Sequence, residues 1–150
     1  MTSPKRKDVA VAGQHGLRDF LNALFELLER EQIRYCVLDS WEDLPDLLDT
    51  GGELRELNVG VGPRQEAELY GAVRALSHAG YAPIQAMNYQ VNACAHVFAW
   101  FEGTRFRTAV VDFAFDHRER SFQWNSGRDL VRDRQRWGNL WTASAATEFR

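Results

Sequence analysis

Residues 34–61, RYCVLDSWEDLPDLLDTGGELRELNVGV, hold the order on which the fold turns. Arg34-Tyr35-Cys36-Val37-Leu38 is an apolar run of strand length. The acidic segment Asp39-Ser40-Trp41-Glu42-Asp43-Leu44-Pro45 reads as a turn, because Asp, Ser and Pro break regular structure. Gly51-Gly52 follows, and Glu53-Leu54-Arg55-Glu56-Leu57-Asn58-Val59 leads into a second strand. Strand, acidic turn, glycine pair, then a carboxylate at the mouth of the next strand is where a metal-dependent site would sit.

Working outward, the N-terminal flank is helical. Leu17, Phe20, Leu21, Leu24, Phe25 and Leu28 recur at helix spacing, predicting a helix over about 15–31 with one apolar stripe. Downstream, Gly62-Pro63 stops the second strand, and Pro63 suits the first turn of a helix that carries Leu69, Tyr70, Val73 and Leu76 inward and ends at Gly80. Tyr81 to Gln85 predicts a short strand. His96 to Phe101 and Phe106 to Phe115 predict a hairpin that turns at Glu102-Gly103. A polar helix is expected over 127–136 and a brief strand at Leu140 to Thr142, with Ser144 as the N-cap of a helix that barely starts before Arg150. The expectation is an α+β fold. Its mixed, largely antiparallel sheet holds strands near 34–38, 57–61, 96–101 and 106–115, with the helices near 15–31 and 63–79 packed mainly on one face.

Composition sets the outer bounds. A chain of 150 residues with 45% hydrophobic content can bury one core, and it has no apolar run long enough to span a membrane. The net charge of −3, with both signs interspersed, offers no basic field for nucleic acid. Cys36 and Cys94 fall in apolar runs, where buried reduced thiols are expected, and this points to a cytoplasmic location. Residues 1–13, with Lys5-Arg6-Lys7, are expected to be a flexible tail without the apolar core of a signal peptide. Residues 14–150 are expected to form the domain, as the N-terminal part of a longer protein.

Four segments, Tyr35 to Leu38, Trp41 to Pro45, Glu56 to Val61 and Val110 to Phe115, together resemble the polymerase-beta-like nucleotidyltransferase superfamily. The resemblance covers roughly residues 15 to 150. In that superfamily two carboxylates separated by one apolar residue open the second strand and hold Mg²⁺ from one side of the sheet. Glu56 and Asn58 stand at those positions. A third carboxylate on a later strand acts as general base or orients the metal, and Asp112 is its counterpart. The resemblance also places Ser40 near the phosphates of a nucleoside triphosphate (NTP), at a turn where the family carries Gly-Gly or Gly-Ser and this chain has Asp39-Ser40.

The chain departs from the family at the chemical positions. Asn58 removes one formal charge from the metal set, and Asp39 adds one where a triphosphate would rest. The apolar scaffold is intact. The resemblance therefore implies a degenerate domain serving as a binding or regulatory module, for a C-terminal region or a protein partner. The alternative is an Mg²⁺-dependent transferase that moves a nucleotidyl group from an NTP to a hydroxyl acceptor. Gly60 and Gly62 make only a G-x-G pair, which is no phosphate loop.

Each candidate also has a plainer reading. Glu56 is also read as an exposed residue at a strand start, and Asp112 as a structural carboxylate paired with Arg55 or Arg107. Asp116-His117 after the strand offers an acid-base pair or merely a surface cap, and His15, His78 and His96 lack even that context. The five tryptophans read first as core. Trp137 and Trp141, near Arg132, Arg134 and Arg136, are read as core or as a stacking surface for a partner.

Overall fold

The structure, a computed structural model, describes residues 16–39, 41–50, 52–89, 92–119 and 122–144. The expected tail (1–13), Ser40 and the helix start after Ser144 lie outside the described residues, as does His15.

The first helix, α1 (Leu17–Arg30), forms where the apolar stripe predicts it. Its Asp19 carboxylate accepts the Gly16 backbone N–H at 3.1 Å, satisfying one of the amides a helix start leaves open. Strand β1 (Tyr35–Val37) follows. The acidic segment is more regular than a turn: a short 3-10 stretch at Trp41–Asp43 runs into α2 (Leu44–Thr50). Pro45 sits in the first turn of α2, where its missing N–H costs no helical bond. Strand β2 (Glu56–Val61) leads to α3 (Glu66–Leu76), and a 3-10 turn ends at Gly80 with φ +93°.

Next come β3 (Ala82–Tyr89), β4 (Ala93–Glu102) and β5 (Arg105–Ala114). β3 is longer than the strand expected at 81–85. The hairpin turns at Gly103, whose φ of +61° suits glycine. A separate ribbon pairs β6 (Asp116–Glu119) with β7 (Phe122–Ser126). The polar helix is shorter than expected: α4 (Gly127–Arg132) stops, and Gln135–Trp137 forms β8 against β9 (Leu140–Thr142). Trp141 lies under two guanidinium groups, Arg134 at 4.2 Å and Arg136 at 5.0 Å from its ring centroid.

The main sheet has seven strands in the order β3-β4-β5-β2-β1-β9-β8. β2 runs parallel to β5 and β1 parallel to β9, and the other pairs are antiparallel. Alternation assigns the two faces. Tyr35, Val37, Leu57, Val59, Val61, Val111 and Phe113 are buried in one core with the stripe of α1 and with Leu69, Val73 and Leu76 of α3. Phe20 sits at its centre, stacked on Trp100 at 4.9 Å and edge-on to Tyr81 at 5.3 Å.

Among the described residues, a second apolar cluster covers one corner of the opposite face. There Cys36 and Leu38 meet Leu130, Val131 and Ala143, and the Cys36 thiol donates to the Leu130 carbonyl at 3.0 Å. Both cysteines are buried, as expected. Glu56, Asn58 and Asp112 project from the rest of this second face.

Candidate functional site

β2 and β5 lie side by side and parallel, with Glu56 opposite Val110 and Asn58 opposite Asp112. Since Leu57 and Val59 point into the core, period-two alternation turns Glu56 and Asn58 to the other face. The same rule turns Val110, Asp112 and Ala114 with them, because Val111 and Phe113 are fully buried. On its far side Asp112 faces Ala95 of β4. The sequence-predicted residues Glu56, Asn58 and Asp112 therefore share one patch of sheet, with small side chains beside them.

Asp39 joins them from the end of β1. Pairing between β1 and β2 continues past Val37, with the Leu38 N–H donating to the Asn58 carbonyl at 2.9 Å. This register sets Leu38 opposite Asn58, and Asp39, the next residue past the end of the strand, lies within reach of the Asn58 side chain. The Asn58 side-chain amide donates to both carboxylate oxygens of Asp39, at 3.0 and 3.2 Å. The sequence reading saw Asp39 only as unwelcome charge in the phosphate turn. Its bond to Asn58 depends on strand register, which no local motif signals.

The electrostatics follow from the crowding. Burial pushes the Asp112 carboxyl up to about 6, and the negative charge of Glu56 adds to the shift. Of the two arginines read as its structural partners, Arg107 points to the opposite face. Arg107 belongs to the core-side set of β5 and lies 3.5 Å from Glu102 and 3.8 Å from Glu53. Arg55 lines a cleft of about 280 Å³ with Trp100, Phe106 and Thr108.

Among the described residues, no three His, Cys, Asp or Glu side chains are grouped closely enough to hold a metal ion. The oxygen donors of the patch are the carboxylates of Glu56 and Asp112, the Asp39 carboxylate that accepts from the Asn58 amide, and the neutral amide oxygen of Asn58. Ser40 and the side chains of Asp116 and His117 lie outside the described residues. His96 is a core residue. It packs edge-on to Phe113 at 5.7 Å, beside the Cys94 sulfur at 3.8 Å, and burial lowers its pKa.

Comparison with known proteins finds no matching family model and no matching curated protein. Among solved structures the chain is similar to JHP933 from Helicobacter pylori, with a TM-score of 0.52 and 9% identity over 87% of this chain and 52% of that one. It is equally similar to an H. pylori protein described as a candidate nucleotidyltransferase, at TM-score 0.52 and 9% identity over 87% of this chain and 53% of that one. The chain thus spans about half the length of either structure. At this identity the likeness speaks to architecture alone: the chain shares the α+β fold of these two structures.

Proposed function

We propose that this chain is a nucleotidyltransferase-fold domain that keeps the scaffold without the metal chemistry and acts as a binding or regulatory module, with residues 14–150 as the working unit. The observation that carries this reading is the Asn58 amide, which donates to both oxygens of Asp39. Where the resembled family turns a second carboxylate toward a cation, this chain presents a hydrogen-bond donor already in use. A cation at that point would meet a neutral amide in place of a carboxylate and would have to compete for Asp39 with a bond already made. The donor set does not fit a tight Mg²⁺ site. The partners in view are a nucleotide-sized ligand, another protein or a further region of a longer chain.

A second reading, the Mg²⁺-dependent transfer of a nucleotidyl group from an NTP to a hydroxyl, draws support from Asp112. Burial and then the charge of Glu56 raise the pKa of Asp112, and a cation between the two carboxyls would relieve the repulsive part. Mg²⁺ is often held by one or two carboxylates with substrate phosphates completing its shell. Glu56 and Asp112 would hold the ion, Asn58 would add its amide oxygen, Asp112 would serve the acceptor hydroxyl, and Ser40 would lie by the phosphates.

Calorimetric titration with Mg²⁺ or Mn²⁺ and an NTP separates the two. The expected result is weak binding by the native chain and tighter binding by Asn58→Asp, which restores the second carboxylate. Tight binding with turnover by the native chain would overturn the module reading. No gain in Asn58→Asp would dismiss the site itself.

A further inference from the structure

The two edges of the main sheet differ in a way the proposed site does not explain. At one end β8 spans only three residues, Gln135–Trp137, and carries Arg136, which bonds Glu29 at 2.8 Å. A short, charged edge of this kind resists pairing with a foreign strand. At the other end β3 is eight residues long, and among the described residues no strand pairs with its outer side. Asp, Glu, Lys and Arg make up 26% of the chain, yet none occurs from Ala75 to Phe101. The customary charge protection of an edge is missing from the whole of β3 and from its neighbour β4 up to Glu102.

What protection there is lies at the start of the strand. Pro83 lacks an N–H, and the register slips between Pro83 and Gln85, so this part is ill suited to pairing. From Gln85 to Asn88 the register against β4 is regular and every residue is exposed, Met87 to 41%. Ile84, 57% exposed in the bulge, extends the apolar surface.

We propose that β3 is the contact through which two copies of this chain pair, edge to edge and antiparallel, about a two-fold axis through residues 85–88. Two arguments favour a second copy over a foreign strand. Antiparallel pairing of a strand with itself is self-complementary by symmetry, so the same patch serves both partners. The chain carries a net charge of −3, and an uncharged strand lets two such chains meet without placing like charges opposite each other. A charged foreign strand would find no counter-charge on β3. Pairing over so few residues makes a small interface, so the dimer is expected to be weak and concentration-dependent. The proposal does not depend on whether the Glu56, Asn58 and Asp112 patch binds a metal.

Sedimentation velocity on the full chain, from low micromolar to millimolar concentration, tests it together with backbone hydrogen exchange at both extremes. The expected result is a monomer–dimer equilibrium in which the amides of residues 85–88 that point away from β4 gain protection as the dimer fills. Met87→Lys puts a charge on the exposed edge, leaves the circular dichroism spectrum unchanged, and raises the dimer dissociation constant by about tenfold or more. A monomer at every concentration would overturn the proposal. So would a dimer whose outward 85–88 amides stay unprotected and whose affinity survives Met87→Lys.

Discussion

Asp112 sits between Asn58 of β2 and Ala95 of β4, where burial, aided by the charge of Glu56, raises its pKa to about 6. The folded chain therefore holds this proton more tightly than the unfolded chain, whose carboxyl titrates near 3.8. By linkage, ionising Asp112 costs nothing below about pH 4, costs progressively more as the pH rises, and costs its full amount above about pH 6. Asp112→Asn is expected to stabilise the protein at neutral pH by about 1 kcal/mol, a figure reduced for the partial exposure of the group. The gain should fade toward zero near pH 4, as urea denaturation at the two pH values would reveal. A variant no more stable at neutral pH would mean that the carboxyl is already compensated. Alternation in Val110-Val111-Asp112-Phe113 was enough to foresee which way Asp112 points, and likewise Glu56 and Asn58. The Asp39 bond was hidden, because it comes from the meeting of two strands 19 residues apart in the chain.

Two glycines in helices on opposite faces of the sheet make opposite demands at the scale of the element. Gly71 lies inside α3 with nothing within 4 Å of the place a Cβ would take. Gly71→Ala should stabilise by roughly 0.5–1 kcal/mol, through helix propensity alone. Gly127 opens α4 against the Phe115 and Val61 carbonyls, where an added Cβ would overlap backbone that cannot yield. Gly127→Ala should cost several kcal/mol or prevent folding, and thermal melts of the pair give the contrast. The legibility of the elements follows the same physics. α1 was plain because its stripe is buried along its whole length, from Leu17 to Leu28. β3 was read too short because an edge strand exposed on both faces shows no alternation. β8 was read as helix because its three residues are all exposed and nothing in Gln135-Arg136-Trp137 reports the partner strand. α2 passed for a turn because Pro45, Asp46 and Asp49 outweigh the weak apolar signal of Leu44, Leu47 and Leu48.

The molecule as a whole is tied together by the aromatic group at Phe20, which connects α1 with the far half of the sheet through Tyr81, Phe98 and Trp100. Phe20→Ala should cost about 3–5 kcal/mol, the usual penalty for emptying a ring-sized space in a core. A midpoint shift in guanidinium denaturation measures it, and a cost below about 1 kcal/mol would mean that the cluster relaxes into the gap. The sheet order carries one more consequence, for synthesis. β1 is hydrogen-bonded on one side to β2, and on the other Val37 pairs with Thr142 of β9, more than a hundred residues later. Loop closure over that distance is slow. While the chain emerges from the ribosome, the outer side of β1, with the buried Tyr35 and Val37, has no partner until Leu140–Thr142 has been made. The nascent sheet therefore stays open at β1 until residues 140–142 have been made, and a chain lacking them is expected to be prone to aggregate.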